Sequence, residues 1–419
     1  MKRYGARAFF ARFANSFANG LLFAKLRRRA WRSPFFSLPR RFRAGFLHVE
    51  PRKVLFETMS GDCSCNPRAI ARELARRRPD ADIVWILDDA AMHACGGKPD
   101  TGRAVLRWTG AAHRELATAK VFVENASLFV SRGNPPKRKG QRIMDTWHGS
   151  LGIKRLDTGK FATGGGGAAN AAVTDLLLSN SDFEDTVFAA SPLAGVPLLR
   201  TGHPRNDLLF APEDVRRAVR AKVFAELGLP PDAKLALYAP TFRDDALPAE
   251  CAASAGFGAW NRSLERRFGG NWHIALRLHP LDAKALAEGL VSFPAGALDA
   301  TRFKGDMQEL LLAADAGITD YSSWIYDYLL LDGRPGFIFA PDRTEYERSH
   351  GFCYPLEETP FPIAGSAAEL CSAIDSFDME RFRRERRRFL DGKGCMEDGR
   401  ASERAVDAIE RWMDEGEGA

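Results

Sequence analysis

Two histidines lie where side chains could perform acid–base chemistry. His148 follows the apolar run of residues 141–147, and His279 follows the apolar run of residues 273–278. Ligands of parallel sheets bind at the carboxyl ends of the strands, so both rings are placed for function if these runs are strands. A neutral imidazole could take the proton of an attacking hydroxyl group near pH 7. Each histidine alone could equally be a structural residue that bonds to a backbone carbonyl.

Polar groups suited to phosphate follow two further apolar runs. Arg243 comes after residues 234–238, and its guanidinium group could contact phosphate through two hydrogen bonds. Ser322 and Ser323 lie between residues 316–319 and a predicted helix. Their hydroxyl and backbone N–H groups would therefore lie at a helix start, which favours anions. The same serines could simply cap that helix.

A regular alternation of strands and helices must position these residues. Short apolar runs alternate with helical patterns, which predicts parallel sheets covered on both faces. The predicted strands are residues 53–57, 83–87, 119–123, 141–147, 234–238, 273–278, 316–319 and 335–339. The predicted helices are residues 68–78, 307–314, 325–331, 379–389 and 401–413. The predicted fold class is therefore α/β, with two doubly wound Rossmann-like domains that face a cleft, as in the glycosyltransferase-B architecture.

Length and breaks in the pattern predict the domain boundaries. A chain of 419 residues with 45% hydrophobic content exceeds what one core usually supports. The Gly-Leu-Pro-Pro run at residues 228–231 marks a junction. We predict a basic amphipathic arm over residues 1–48, an N-terminal Rossmann-like domain over 49–210 and a C-terminal one over 211–395. Residues 396–419 would form a C-terminal helix, which could pack back on the N-terminal domain.

The arm is strongly basic. It carries twelve lysine or arginine residues before the first acidic residue, Glu50, so the net charge of +6 leaves about −6 for the rest of the chain. Apolar residues at helical spacing, Phe9, Phe13 and Phe17 among them, predict an amphipathic helix on an anionic membrane surface. A helix packed on the protein's own core and a cleaved transit peptide are the alternatives. No nucleic-acid partner is expected, because the basic residues stop at the arm.

Five ordered segments resemble the CDP-glycerol:poly(glycerophosphate) glycerophosphotransferase family of teichoic-acid primases and polymerases. Each segment is short, but five in this order and spacing are hard to obtain by chance. They are Asp145-Thr146-Trp147-His148-Gly149, residues 201–207 (Thr-Gly-His-Pro-Arg-Asn-Asp), residues 238–245, residues 277–280, and residues 318–323 with Asp327 and Tyr328. The resemblance runs from about residue 54 to about residue 352. Family members often carry glutamine at the position of Asp145.

The resemblance implies transfer of a phospho-alditol, glycerol phosphate above all, from a CDP-alditol to an acceptor hydroxyl of a lipid-linked or cell-surface polysaccharide. CMP would be released. It also implies that His148 is the general base and that His279 contacts the pyrophosphate. The residues implied to bind nucleotide or phosphate are Thr241, Arg243, Arg277, Asp320, Ser322, Ser323 and Asp327. Those implied to lie on the acceptor side, or to be structural, are Trp147, Gly149, Arg205, Asn206 and Asp207.

The resemblance further implies a peripheral enzyme on the cytoplasmic face of the membrane, with CDP-glycerol or a related CDP-alditol as donor and no predicted cofactor. Seven cysteines without paired spacing argue against a disulfide framework and a zinc site, and a divalent metal requirement stays open. Two alternatives remain. One is a nucleotide-sugar glycosyltransferase of the same fold, which would release a nucleoside diphosphate, and the other is a non-catalytic scaffold held on the membrane by the arm.

Overall fold

The chain forms two compact units, each built from separate segments. The computed structural model describes residues 21–33, 45–156, 166–241, 256–278 and 293–415. Unit 1 consists of Met1–His148, Leu156–Asp207 and Met396–Ala419, and unit 2 consists of Gly149–Arg155 and Leu208–Cys395. The chain therefore passes from unit 1 into unit 2 directly after His148, and the end of the chain belongs to unit 1.

The strands among the described residues form two parallel sheets. They are β1 Glu50–Phe56, β2 Asp82–Leu87, β3 Arg103–Leu106, β4 Ala119–Glu124, β5 Arg142–Asp145, β6 Leu176–Ser179, β7 Leu198–Arg200, β8 Lys234–Tyr238, β9 Trp272–Leu276, β10 Leu298–Asp299, β11 Ala316–Thr319, β12 Gly336–Phe339 and β13 Ile363–Ala364. The first seven strands belong to unit 1 and the other six to unit 2.

Helices connect the strands in both units. Among the described residues they are α1 Leu21–Arg32, α2 Cys65–Arg77, α3 Asp89–Ala94, α4 Gly110–Thr118, α5 Gly166–Ala171, α6 Asp182–Ala189, α7 Glu213–Leu227, α8 Phe257–Phe268, α9 Met307–Ala313, α10 Trp324–Tyr328, α11 Arg343–His350, α12 Ala367–Asp375, α13 Met379–Gly392 and α14 Ala401–Asp414. Short 3₁₀ helices cover Pro204–Phe210 and Leu356–Glu358. None of the described helices is both long and apolar enough to span a membrane.

The sheet of unit 1 has the strand order β3-β2-β1-β4-β5-β6-β7 with parallel pairing throughout. This order starts at a central strand and extends to both edges, as in doubly wound folds. Every position of β4 is buried, because a parallel sheet with helices on both faces excludes water from its central strands. The predicted α/β class with parallel sheets is confirmed.

Successive residues of β1 enter two different cores of unit 1, because side chains of a strand alternate between faces. Val54 packs with Ile70 of α2 and Ile409 of α14. Leu55 packs in a second cluster with Leu116 of α4 and with Trp31. The last helix of the chain therefore covers one face of this sheet.

Trp31 fixes the end of α1 to unit 1. Its side chain is 3% exposed, and its indole Nε1 donates to the carbonyl oxygen of Gly133 at 3.1 Å. Arg27, one turn earlier, forms an ion pair with Asp89 at 2.5 Å. The end of the basic helix thus packs on the protein's own core, which was the alternative to membrane contact. The predicted pattern of Phe9, Phe13 and Phe17 lies outside the described residues.

The sheet of unit 2 has the order β10-β9-β8-β11-β12-β13, again with parallel pairing. Its core is aromatic. Trp260 of α8 contacts Tyr238 and Phe339 edge to face, with ring centroids 5.5 and 5.1 Å away. The segment Gly149–Arg155 is held in this unit by an antiparallel bridge between Lys154 and Phe352.

Candidate active site

His148 lies at the carboxyl end of the unit 1 sheet, just after β5. Its ring Nδ1 is 2.7 Å from the backbone oxygen of Asn125, which follows β4. A carbonyl oxygen can only accept, so Nδ1 carries the hydrogen and Nε2 carries the lone pair of the neutral ring. The half-buried imidazole also packs on the indole of Trp147, with ring centroids 4.8 Å apart. The histidine is therefore held in the tautomer that accepts a proton at Nε2.

Asp145, the last residue of β5, is completely buried. Its Oδ2 accepts hydrogen bonds from the backbone N and the Oγ of Ser127 at 2.9 and 2.7 Å. Its Oδ1 accepts from the backbone N of Trp147 at 2.8 Å. Burial raises the pKa of the Asp145 carboxyl, and the hydrogen bonds from Ser127 and Trp147 oppose that rise.

A second buried carboxyl lies beside Asp145. Glu124 ends β4 and pairs with Asp145 across the sheet. Burial raises the pKa of Glu124 well above its ordinary value, and repulsion from Asp145 adds to this effect. Two adjacent buried carboxyls thus end the strands that carry His148 and its carbonyl partner.

Two distant segments converge on the backbone around His148. The fully buried Asn66, in the first turn of α2, donates from Nδ2 to the carbonyl oxygens of Thr146 and Trp147 at 2.9 and 3.0 Å. Its Oδ1 accepts from the backbone N of Arg205 at 3.1 Å. Arg205 in turn donates from Nη1 to the carbonyl oxygen of His148 at 3.0 Å. Sequence reasoning gave Asn66 no role, although its place before Pro67 at a helix start and the fit of residues 66–70 to the family resemblance were available signals.

The two residues after Arg205, Asn206 and Asp207, bond to the segment that leads into α14. Asp207 accepts from the backbone N atoms of Ala401 and Ser402 at 2.9 and 2.7 Å, so its carboxylate lies at the start of α14. Asn206 donates from Nδ2 to Glu397 at 3.0 Å. Burial raises the pKa of Asp207 despite these bonds. These contacts are structural, and a role of either residue in acceptor binding stays a prediction.

In unit 2, three predicted site residues follow three adjacent strands. Thr241, Arg277 and Asp320 come after β8, β9 and β11. Because the strands are parallel, their carboxyl ends lie on the same side of the sheet, which we call its carboxyl edge. Asp320 Oδ1 accepts from the backbone N of Thr241 at 2.9 Å and of Tyr321 at 2.5 Å. The backbone N of Arg277 donates to the carbonyl oxygen of Tyr238 at 2.9 Å. The structure therefore brings these three residues together at one edge.

The predicted serine turn precedes α10, which is shorter than the predicted helix of residues 325–331. Ser323 occupies the N-cap position but makes no side-chain capping bond, and both Ser322 and Ser323 are half-buried. A Cβ atom placed on Gly152 would lie 3.2 Å from the Cβ of Ser323. The segment that follows His148 thus runs directly past this turn, within unit 2.

The remaining predicted residues have different surroundings. Asp327 is buried and accepts from Nε2 of Gln308 at 3.2 Å, which is a contact inside unit 2. Gly149 begins the segment that joins unit 2. Arg243 and His279 lie outside the described residues. Within the described ranges, no three histidine, cysteine, aspartate or glutamate side chains are grouped as a metal ion would require.

Comparison with known proteins gives a family match over most of the chain. The sequence model of the CDP-Glycerol:Poly(glycerophosphate) glycerophosphotransferase family matches residues 41–411. A teichoic acid poly(glycerol phosphate) polymerase of Bacillus subtilis (strain 168) is 28% identical over 385 residues, which is 87% of this chain and 50% of the relative. The chain thus spans about half the length of that relative.

Two further similarities cover most of both chains. A teichoic acid poly(glycerol phosphate) polymerase of Bacillus spizizenii is 27% identical over 382 residues, 87% of this chain and 93% of the relative. The solved structure of the wall teichoic acid polymerase TagF superposes with a TM-score of 0.73 at 26% identity. The superposition covers 96% of this chain and 98% of that one.

Proposed function

The chain belongs to the CDP-glycerol:poly(glycerophosphate) glycerophosphotransferase family, and on that premise we propose that it transfers glycerol phosphate from CDP-glycerol to an acceptor hydroxyl and releases CMP. Its relatives are named as polymerases of teichoic acid, so the proposed acceptor is a lipid-linked or cell-surface polymer of that kind. One observation carries the proposal above the others. The bond from Nδ1 of His148 to Asn125 leaves Nε2 as the proton acceptor of a neutral base.

The proposed reaction is one displacement at phosphorus. The acceptor hydroxyl gives its proton to Nε2 of His148 while its oxygen attacks the β-phosphorus of CDP-glycerol. The bond from that phosphorus to the bridging oxygen breaks, and the electron pair leaves with CMP. A new phosphodiester remains on the acceptor. His148 can gain the proton without losing its bond to Asn125, because Nδ1 donates in both the neutral and the cationic ring.

The nucleotide is proposed to bind at the carboxyl edge of the unit 2 sheet. The backbone N of Thr241 donates to the Asp320 carboxylate and that of Arg277 to the carbonyl oxygen of Tyr238. Arg243 and His279 follow within two residues. The guanidinium groups of Arg243 and Arg277 and the hydroxyl groups of Ser322 and Ser323 suit a pyrophosphate. We propose a glycosyltransferase-B arrangement in which this edge and His148 serve one site. The parallel, doubly wound strand order of both sheets supports it.

The enzyme is proposed to act as a peripheral protein on the cytoplasmic face of the membrane. Leu26 of α1 is 53% exposed, and Arg28 and Arg29 beside it are exposed as well. An apolar residue flanked by arginines suits an anionic lipid surface. Because Trp31 fixes α1 to unit 1, contact of this helix with lipid would hold the sheet that carries His148 at the membrane.

The proposal is tested by the nucleotide that the purified chain releases. With CDP-glycerol and a teichoic-acid acceptor we expect CMP, and we expect His148→Ala to lower the rate by about 10³-fold, the usual scale for a general base. His93→Ala is the matched control, because His93 is exposed on α3, and it should keep full activity. Full activity of His148→Ala would refute the base role. Release of a nucleoside diphosphate from a nucleotide sugar would instead favour a glycosyltransferase, and failure to bind CDP-glycerol in calorimetry would favour a scaffold.

A further inference from the structure

A single buried carboxylate connects the two chain segments that set the position of the His148 ring. The carbonyl that receives Nδ1 belongs to Asn125, after β4, while the ring itself follows β5. Asp145 bonds to Ser127, two residues beyond Asn125, and to Trp147, the residue before His148. The side chain of Asp145 thus links the segment that contains the Asn125 carbonyl to the segment that contains the His148 ring.

Both residues that donate backbone N–H groups to Asp145 have an unfavourable backbone conformation. Ser127 has φ 52° and Trp147 has φ 53°, in the left-handed region that L-residues rarely occupy. Such conformations persist only where surrounding bonds determine them. The bonds to Asp145 therefore stabilise the two backbone turns that aim the Asn125 carbonyl and the His148 ring at each other.

In this chain the arrangement uses both oxygens of the Asp145 carboxylate. Oδ2 accepts from the N–H and O–H groups of Ser127, and Oδ1 accepts from the N–H group of Trp147. An amide has one acceptor oxygen, and its NH₂ group would face a donor at the other position. Water cannot replace the lost acceptor, because Asp145 is completely buried.

We propose that Asp145 is a positioning residue that, together with Ser127, fixes the orientation and the Nδ1–H tautomer of His148. The proposal rests on the proposed function, in which Nε2 of His148 takes the acceptor proton. Asp145 does not itself contact substrate. Asp145→Asn should therefore lower kcat by about tenfold through misalignment of the base, while KM for CDP-glycerol stays within about twofold.

The decisive measurement is the tautomer of His148 in the protein without substrate. Ring nitrogen shifts of ¹⁵N-histidine-labelled protein report it, and comparison with His148→Ala assigns the signal. We expect the Nδ1–H form in the wild type and a mixture of tautomers in Asp145→Asn. Asp175→Asn is the matched control. Asp175 accepts from the backbone N of Ile143 at 2.6 Å, so this variant makes the same carboxylate-to-amide change beside the other end of β5, away from His148, and should leave tautomer and kcat unchanged.

A milder variant keeps the test valid if Asp145→Asn fails to fold. Ser127→Ala removes the Oγ bond and retains the N–H bond, so we expect a smaller change of tautomer and kcat in the same direction. Wild-type tautomer and kcat in whichever of these variants fold would overturn the proposal. The tautomer is measured without any reaction, so a wild-type protein that fails to release CMP would refute the proposed function while the positioning role is still judged by the nitrogen shifts.

Discussion

Asp145 in unit 1 and Asp320 in unit 2 are both buried aspartates at the end of a strand, and each joins that end to the exit of a neighbouring strand. The two oxygens of Asp145 accept from different residues: Oδ2 accepts from Ser127 and Oδ1 from Trp147. In Asp320, Oδ1 accepts from the backbone N of both Thr241 and Tyr321, and the N–H of Thr241 is shared with Oδ2 at 3.0 Å. Each oxygen of Asp145 therefore bonds to a different segment, whereas Oδ1 of Asp320 alone reaches both N–H groups.

The difference matches the proposed tasks of the two sheet edges. At the edge of unit 1 the bonds of Asp145, Asn66 and Arg205 all end on the backbone around His148. A base must be held in one orientation for proton transfer. At the edge of unit 2 the residues brought together offer groups for binding a substrate, such as the half-buried hydroxyls of Ser322 and Ser323. We infer that unit 1 positions a reacting side chain and unit 2 positions the donor.

Removal of Asn66 should have the largest effect on stability, because it ties α2 to the His148 segment. Asn66→Ala leaves the buried carbonyls of Thr146 and Trp147 without their amide donor, and we expect a loss of about 3 kcal/mol in the free energy of unfolding. Urea unfolding measures it. Asn271→Ala, at an exposed asparagine, is the control and should change stability by less than about 0.5 kcal/mol. A loss as small as the control's would mean that the edge of unit 1 is not held by this network.

The buried carboxyl beside Asp145 should make stability depend on pH. The pKa of Glu124 in the folded chain is raised well above 4.5 by burial, so between pH 4.5 and that raised pKa the folded chain keeps a proton that the unfolded chain has lost. Stability must therefore fall as pH rises through this window. Glutamine resembles the neutral acid and cannot ionise, so Glu124→Gln should remove this part of the fall.

Urea unfolding at several pH values from about 5 to about 8 measures whether stability falls as pH rises. The stability of Glu124→Gln relative to the wild type should increase with pH. Glu345→Gln, at an exposed glutamate of α11, is the control and should show no such trend. A difference that is flat or decreases with pH would contradict a raised pKa for Glu124.

The sequence predicted most of the central strands well, and it missed five of the shorter strands. The predicted bounds of β8 and β11 agree with the structure, because the central strands of a parallel sheet are continuous apolar runs. The prediction missed β3 and the interior strand β6, which have four residues each. It also missed β7, whose three residues are partly or fully exposed, and β10 and β13, which have two residues each. Such strands exist because a neighbour supplies the pairing partner, and no local pattern encodes that.

The local sequence also predicted where two site residues lie, but it did not predict the long-range contacts that surround them. The positions of His148 and Asp320 at strand ends were readable, because each follows its own apolar run. The contacts that define the His148 environment were not, since Asn66 lies about 80 residues before its carbonyl partners and Arg205 about 57 residues after His148. Only the fold brings these segments together. One available signal was Asp145, a carboxylate inside an apolar run, whose burial requires nearby donors.

The smallest expected effect, and the most direct test of the comparison, is the amide substitution in unit 2. In Asp320→Asn the amide oxygen can take the place of Oδ1 and keep its bonds from Thr241 and Tyr321, and only the shared contact of Thr241 with Oδ2 is lost, so we expect a loss of only about 1 kcal/mol. Asp145→Asn must give up either Ser127 or Trp147 and should lose about 2 kcal/mol or more. Both losses are read from urea unfolding under one set of conditions. Equal losses would show that the two carboxylates bind their neighbours in the same way, and the distinction between the two sheet edges would then fail.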